Sequence, residues 1–171
     1  MALTVGTDTY ISQIDATAYI DSYYPTTDTK RIAWNALTSD NKDTYLRSAL
    51  RTLEGVPVVG LKADSTQTLA FPRAIHTENY FYDNTVPINL NYGNDWYVQT
   101  EVPDEVKYAQ VETALSDSDG ISDRVKLQRE GVKSFSLGKL SESYGGGKIN
   151  ALPYAASVMM AEYLLGGGRI G

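Results

Sequence analysis

Residues 39–54 carry the clearest structural pattern in the sequence, that of an amphipathic helix followed by Gly55 as a stop signal. Apolar side chains recur there at the spacing of one helix face, while the charged side chains fall outside that face. The face consists of Tyr45, Leu46, Ala49, Leu50 and Leu53, and the charged positions are Asp40, Lys42, Asp43, Arg47 and Arg51. The pattern predicts a core helix, and the rest of the chain must supply the surface on which it packs.

Other segments predict further helices. Residues 12–24 place Ile14, Ala18 and Tyr19 at helical spacing behind a capping Ser12. Residues 30–37 fit a short second helix. Residues 102–120 begin with Pro103 and two acidic side chains in the first turn, which favours a helix start. The apolar face of this predicted helix is modest and consists of Val106, Ala109, Ala114 and Leu115. Residues 152–165 predict a last, largely apolar helix.

Two segments do not follow a helical pattern. Apolar and polar side chains alternate through much of 124–144, which predicts a β-hairpin or an extended ribbon before the flexible joint 145–147. Residues 74–101 are rich in Asn and aromatic side chains, and a structureless loop of that length is uncommon in a compact domain. We interpret them as either a functional loop or an unrecognised hairpin.

The sequence therefore predicts a mainly α fold, a small helical bundle with an extended β-hairpin or ribbon and a C-terminal helix plus flexible tail. A chain of 171 residues is long enough for one domain with a real core. The predicted single domain, 1–171, has a helical core at about 12–73 and 102–120, an aromatic insertion at 74–101, a β-ribbon at 121–148, and a C-terminal helix and tail at 149–171.

Charge is distributed unevenly along the chain. Residues 1–120 hold 17 acidic and 8 basic side chains, a net charge of −9, whereas residues 121–171 hold 4 acidic and 7 basic ones, a net charge of +3. Such asymmetry suggests oriented contact with a charged partner, although two solvated faces can also differ by chance. Thirteen Tyr against three Phe also favours interfaces over a dry core.

The residue types that support catalysis are sparse. The absence of Cys excludes disulfides and thiolate sites, and the single His76 has no motif partner nearby. Asp117 and Asp119 lack the glutamate that would complete a calcium loop, and Lys148 after three glycines does not meet the Walker spacing. We expect no enzyme, no metal and no cofactor. Without a bilayer-length apolar run of ~20 residues or a signal-peptide pattern, we also expect a soluble protein that contacts no membrane.

The basic residues of the back half have two interpretations. They are Arg124, Lys126, Arg129, Lys133, Lys139 and Lys148, with Phe135 and Tyr144 among them. They could neutralise phosphates while the aromatic rings stack on bases. A complementary acidic protein surface explains the same charges, and the sequence favours it because single-strand binders are usually more basic.

Four short motifs, spread over most of residues 10–165, carry a resemblance to a known family. They are Lys42, Tyr45, Leu46, Ala49, Leu50, Leu53 and Glu54 followed by Gly60; Gln67, Leu69, Ala70, Phe71, Pro72 and Arg73; Val102, Pro103, Val106 and Ala109; and Lys133 to Leu137 before a Tyr. On these motifs the chain resembles the head-tail connector (adaptor) proteins of tailed bacteriophages, often labelled "DnaT-like single-stranded DNA binding".

The resemblance implies a structural virion protein. Such a protein forms a ring of about twelve copies under the portal, extends the DNA channel and docks the tail. Its partners would be the portal protein, neighbouring copies and the next tail or neck protein, with DNA passing through the lumen without sequence-specific binding. It would be made in the host cytoplasm and reside in the virion neck. The alternative is a single-stranded DNA-binding replication protein.

The implied contacts can be assigned to residues. Portal docking falls to the last helix and tail, with Tyr154, Val158, Met159, Tyr163, Leu164, Leu165, Arg169 and Ile170. Ring or partner contacts fall to Arg124, Lys126, Arg129, Lys133, Tyr80, Tyr82, Trp96 and Tyr97. The acidic part, 1–120, would include the channel lining, and the ribbon 124–148 would meet the portal or a neighbouring subunit.

The segment from Gln67 to Arg73 is a structural motif. Pro72 restricts Phe71 to extended geometry, so Leu69 and Phe71 can pack on the 45–53 face. Arg73 is then free for a helix C-terminus or an acid, or remains a solvated charge. Two departures from the family pattern stand out, namely Phe71 where the family usually has Trp and the long insertion 74–101.

Overall fold

The computed structural model describes residues 2–76, 96–118, 134–137, 140–143 and 152–165, with backbone alone for 134–137 and 140–143. Within these residues the chain forms five helices, a three-stranded antiparallel sheet and a separate two-stranded one. The predicted mainly α fold is confirmed.

The chain begins with three helices, α1 (Gln13–Tyr23), α2 (Thr29–Ala36) and α3 (Ser39–Glu54). Each follows a polar side chain that accepts a hydrogen bond from an amide of the first turn, and these caps are Ser12, Asp28 and Thr38. Because caps of this kind are local signals, the predicted segments 12–24, 30–37 and 39–54 agree with the structure to within a residue or so.

The predicted inward face of α1 is largely wrong. The structure buries Ala16, Tyr19 and Ile20, whereas Ile14 is 80% exposed and Ala18 is also exposed. The apolar pattern of α1 is weak, so its neighbours decide which side faces inward. Ala16, Tyr19 and Ile20 share one face at the i, i+3, i+4 spacing.

The predicted face of α3 is confirmed, since Leu46, Ala49, Leu50 and Leu53 are buried and Tyr45 is half-buried. One charged position departs from the prediction. The carboxylate of Asp43 is buried and accepts a hydrogen bond of 2.9 Å from Gln13 Nε2 at the start of α1. This bond joins the ends of α1 and α3.

The fourth helix, α4 (Asp104–Ser118), lies at the centre of the bundle and packs against α1, α2, α3 and the last helix. Every residue from 109 to 115 is buried, so the modest apolar face expected from the sequence underestimates how much of α4 is covered. Three of these buried residues are polar, Gln110, Glu112 and Thr113. Polar residues at those positions hide a central helix from any search for apolar periodicity.

The three-stranded sheet consists of β1 (Leu61–Lys62), β2 (Arg73–His76) and β3 (Trp96–Val98), with β2 in the middle. Residue 74 of β2 lies opposite Leu61 on one side and Val98 on the other. The two ends of the predicted insertion 74–101 are therefore the paired arms of a hairpin. His76, expected in a loop, lies in β2 with its ring 5.3 Å from that of Trp96.

The two-stranded sheet pairs β4 (Ser134–Leu137) with β5 (Leu140–Ser143) in antiparallel register, Ser134 opposite Ser143. A hairpin is thus confirmed in the second part of the predicted ribbon 121–148. Residues 121–133 and the predicted joint 145–147 lie outside the described residues.

The last helix, α5 (Tyr154–Met159), is shorter than the predicted 152–165. Beyond it the chain runs alongside the segment after α3. The amide of Val59 donates to the carbonyl of Tyr163 at 2.8 Å, and that of Leu165 donates to the carbonyl of Pro57 at 3.0 Å. These bonds give the backbone after α5 a partner other than its own helix. The predicted tail, 166–171, lies outside the described residues.

The buried apolar side chains form two clusters that α3 and α4 join. One centres on Phe71 and Ile75 and includes Leu50, Leu53 and Val106, while the other centres on Trp34 and is closed by α1, α3 and α4. The sheet and α5 therefore pack on one end of the bundle, and α1 and α2 pack on the other.

The close approach of Gly60, immediately before β1, to the backbone of β2 can be tested by substitution. Its φ is +78°, and a Cβ built there would lie 2.3 Å from the carbonyl oxygen of Ala74. Gly6 also has a positive φ, +84°, but a Cβ there would meet no atom within 4 Å. We expect Gly60→Ala to destabilise the protein by about 1–3 kcal/mol more than Gly6→Ala, because only the first adds a backbone clash to the conformational strain.

Urea unfolding of the two variants and the unsubstituted protein measures this difference. Gly6→Ala is the control, since it carries the cost of the left-handed backbone alone, about 1–2 kcal/mol. Equal losses in the two variants would contradict the close approach of Gly60 to β2.

Candidate nucleic-acid interface

Gln67 organises the loop that leads into β2. Its side-chain amide nitrogen donates to the carbonyls of Leu69 at 2.9 Å and Pro72 at 2.8 Å, and its oxygen accepts from the amide of Asp64 at 3.0 Å. Leu69 and Phe71 are buried in the same cluster as the end of α3. The predicted packing of this motif on the 45–53 face is confirmed at that end of the helix.

Arg73 is not used as the sequence suggested. It is 7% exposed, and its guanidinium donates to the backbone carbonyls of Val59, Gly60 and Ala70 instead of a helix end or an acid. Burial lowers the pKa of Arg73, yet a guanidinium stays protonated at neutral pH. Its planar set of donors suits several carbonyls at once. Arg73 therefore holds β2 against the segment before β1 and has no free face for a phosphate.

Tyr10 closes the same region from the other side. Its hydroxyl donates to Glu54 Oε1 and accepts a bond of 3.2 Å from the amide of Phe71. Glu54 also accepts from the amide of Ala70 at 3.1 Å. Burial, and then the hydrogen bond and charge of Glu54, raise the pKa of Tyr10 above its ordinary value. The end of α3 and the motif are thus joined both through Tyr10 and directly through Glu54.

A stack of tyrosines lines a groove of about 670 Å³ between α1 and the start of α4. The ring of Tyr19 lies 4.5 Å from that of Tyr108 at an angle of 24°, and 4.6 Å from that of Tyr23. Tyr23 is 67% exposed, so the stack ends in an open ring. Aromatic platforms of this kind also occur where bases of single-stranded nucleic acid stack. We call this feature the tyrosine groove.

The buried carboxylate of Glu112 holds Tyr19 of this stack, and the neighbouring Tyr24, by hydrogen bonds. The hydroxyls of Tyr19 and Tyr24 donate to Glu112 Oε1 at 2.9 and 2.7 Å. The pKa of each tyrosine is raised, first by burial and then by its hydrogen bond to Glu112. At neutral pH both rings therefore keep their protons and remain donors.

The charge of the described region argues against phosphate contact there. Its described side chains include 14 acidic and 8 basic ones, a net charge of −6. The segment 121–148 instead contains 6 basic and 3 acidic residues, a net charge of +3. Because phosphate neutralisation dominates the affinity for nucleic acids, the segment 121–148 is the stronger candidate for backbone contact. We call it the basic segment.

The residues expected to dock on a portal do not form one surface. Tyr154 is 86% exposed, and Val158 and Leu165 are also exposed. Tyr163 is only 3% exposed, with its ring 5.3 Å from that of Phe71. Met159 and Leu164 are half-buried, while Arg169 and Ile170 lie outside the described residues. Tyr163 thus belongs to the core of this fold and has no surface to offer a partner.

Of the residues expected in ring or partner contacts, the structure describes Trp96 and Tyr97. Both are half-buried in β3, and burial raises the pKa of Tyr97. The others lie outside the described residues; they are Tyr80, Tyr82, Arg124, Lys126, Arg129 and Lys133. The tyrosine groove was not predicted from the sequence, although Tyr19 and Tyr23 lie at the i, i+4 spacing of one helix face.

A second cavity of about 310 Å³ lies between β3, the start of α4 and the segment that follows α5. Glu101, Glu105 and Glu162 line it, which makes it unsuitable for a phosphate. In the part of the chain with described coordinates, no three His, Cys, Asp or Glu side chains converge as a metal site. None of the described helices is both long enough and apolar enough to cross a membrane.

Comparison with known families gives one match, which covers nearly the whole chain. Residues 2–170 match the family described as "Putative DnaT-like ssDNA binding protein". Neither a curated protein nor a solved structure matches the chain significantly.

This match corrects the function expected from the sequence. The family label is the one attached to the resemblance, so that part of the expectation is confirmed, but the match names single-stranded DNA binding. The structural head-tail adaptor is therefore wrong as the leading interpretation, and the alternative, single-stranded DNA binding, replaces it. The four short motifs of the sequence indicated the correct family label, but they did not determine the function of the protein.

The hydrogen bonds of the Tyr10 hydroxyl to Glu54 and Phe71 can be tested by substitution. At pH 7, we expect Tyr10→Phe to lower the free energy of unfolding by about 1–2 kcal/mol, because Glu54 and the amide of Phe71 each lose a partner. Above pH 10 the unfolded tyrosine ionises while the folded one, whose pKa is raised, keeps its proton. The unsubstituted protein therefore loses up to about 1.4 kcal/mol per pH unit through this residue, and the variant does not.

The difference in unfolding free energy between the two proteins should thus shrink as the pH rises through 10 to 11. Urea unfolding at several pH values measures it. Tyr154→Phe, at an exposed tyrosine of α5, is the matched control and should change the free energy of unfolding by less than about 0.5 kcal/mol at pH 7. A gap that stays constant with pH would contradict the buried, protonated state of Tyr10.

Proposed function

Because the chain belongs to the DnaT-like ssDNA binding protein family, we propose that it binds single-stranded DNA. The observation that carries the proposal is the match over residues 2–170, which includes the helical bundle, both sheets and the basic segment. We further propose a binding protein without catalytic activity. The sparse catalytic side chains of the sequence support that view.

The basic segment is the proposed contact with the DNA backbone. It contains Arg124, Lys126, Arg129, Lys133, Lys139 and Lys148, whereas the described side chains of the bundle carry a net negative charge. A polyanion is attracted to the first and repelled by the second. The separation of charge that the sequence shows thereby acquires a function.

The hairpin of β4 and β5 supports this proposal in a second way. It lies within the basic segment, and its four-residue strands pair in full from Ser134 opposite Ser143 to Leu137 opposite Leu140. A paired ribbon presents neighbouring residues at a fixed spacing of about 3.3 Å along each strand. In the sequence, Lys133 directly precedes β4 and Lys139 directly precedes β5.

Contacts between basic side chains and phosphates predict how the affinity for DNA depends on base sequence and on salt. Phosphate contacts carry no sequence information, so the affinity should vary little with base sequence and fall steeply with salt. Fluorescence anisotropy of a labelled oligothymidylate of about 30 nucleotides, longer than the roughly 4–16 nucleotides of a typical single-strand site, measures both. A duplex of equal length is the comparison. Absence of salt-sensitive binding at ~0.1 M salt would contradict the proposal.

The contribution of the basic segment can be isolated with Arg124→Gln, Lys126→Gln and Arg129→Gln combined. We expect the affinity for the oligonucleotide at ~0.1 M salt to fall by about 10- to 100-fold. The slope of log K against log salt should become shallower by about 2, because each lost contact with a single strand removes about 0.7.

A matched control removes three cations from the bundle instead, with Lys30→Gln, Lys42→Gln and Arg51→Gln. It changes the net charge equally but should leave the salt slope unchanged. Equal losses in the two triple variants would show that net charge alone governs the affinity, and the proposed role of the basic segment would be wrong.

A further inference from the structure

The tyrosine groove combines an open aromatic surface with acidic side chains at its edges. Tyr23 presents an exposed ring at the end of the stack, and Asp15 and Asp104 line the same groove. A volume of about 670 Å³ lies within the range of pockets that take small ligands or side chains, roughly 300–1,000 Å³. The groove is thus large enough for an incoming side chain and is already lined with aromatic and charged groups.

The charged side chains that line the groove are two acids, Asp15 and Asp104, and one cation, Lys107, a net charge of −1. Lys107 lies in the groove with its Nζ 2.8 Å from Asp104 Oδ1. The pKa of Lys107 is raised, first by this hydrogen bond and then by the charges of Asp104 and Glu101. Behind the stack, Glu112 accepts the hydroxyl of Tyr19. The groove thus already stabilises one ammonium group.

We propose that the tyrosine groove is a docking site for an arginine- or lysine-bearing segment of another protein. A guanidinium or ammonium group is attracted to the face of a tyrosine ring, and its charge complements Asp15, since Asp104 already pairs with Lys107. Arginine is the better fit, because its planar group can stack on Tyr23 and still hydrogen-bond a carboxylate.

A stacked nucleotide fits the same site less well. Its base could lie on Tyr23, but its phosphate would approach Asp15 and Asp104 in a bundle whose described side chains sum to −6. The peptide contact is independent of DNA binding by the basic segment.

The test uses the full chain and a fluorescent octapeptide of alternating arginine and glycine. The same peptide with citrulline in place of arginine keeps the shape and removes the charge. We expect the arginine peptide to bind and the citrulline peptide to bind much more weakly. Tyr23→Ala should weaken the arginine peptide about 2- to 5-fold, and Asp15→Asn should have an effect of similar size.

Two control variants make the result specific to the groove. Tyr154→Ala removes an exposed tyrosine from α5, and Glu162→Gln removes an exposed acid near the end of the chain. Neither should change peptide affinity by more than about 1.5-fold. Equal effects of the control and groove variants, or equal affinity for the two peptides, would overturn the proposal.

The labelled oligonucleotide separates this proposal from the proposed function. If Tyr23→Ala leaves oligonucleotide affinity unchanged while it weakens the peptide, the groove serves the protein partner. If it weakens the oligonucleotide and not the peptide, the groove is a base-stacking site and the docking proposal is wrong. Failure of the unsubstituted protein to bind the oligonucleotide would contradict DNA binding alone.

Discussion

The burial of α4 on all sides is the constraint on which the structure depends. A central helix with polar residues must satisfy each of them inside the bundle, because an unpaired buried polar group costs about 1–3 kcal/mol. Gln110 does so by accepting from the amide of Tyr10 at 2.8 Å and donating to the carbonyl of Leu46 at 2.8 Å. Among the described side chains, no buried nitrogen or oxygen lacks a hydrogen-bond partner. These bonds fix the register of the N-terminal segment and α3 on α4, which apolar packing alone would leave free to slide.

Arg73 does for the sheet what Gln110 does for the bundle. Its side chain gathers the carbonyls of Val59, Gly60 and Ala70, so the turn before β1 and the loop before β2 converge on one cation. Because those carbonyls are consecutive or near a tight turn, few other residue types could satisfy them together. With Tyr10 and Glu54 on the opposite side, the motif is anchored to both the sheet and α3. A charged residue thereby acts as a structural element, unavailable for contact with DNA.

Local signals explain what the sequence predicted well. Caps at Ser12, Asp28 and Thr38 and the strong periodicity of α3 depend on neighbours in the chain, and those bounds agree with the structure. Features that depend on contacts with distant parts of the chain were not predicted from the sequence. The face of α1, the burial of the middle of α4 and the early end of α5 each follow from contacts with segments that are distant along the chain. The same reason hid the tyrosine groove, since Tyr108 reaches Tyr19 only when α4 lies against α1.

The opposite charges of the bundle and the basic segment limit how the protein can act. If DNA bound by charge alone, it would bind where cations exceed acids, and 121–148 is the stretch that provides such an excess. If the protein binds DNA as proposed, the negative charge of the described bundle would also repel the strand from the aromatic surface of the tyrosine groove. An aromatic surface withheld from DNA remains available to cationic side chains, which the same acids attract. Under the two proposals, the charge pattern therefore directs the DNA strand to 121–148 and a cationic segment of a protein partner to the tyrosine groove.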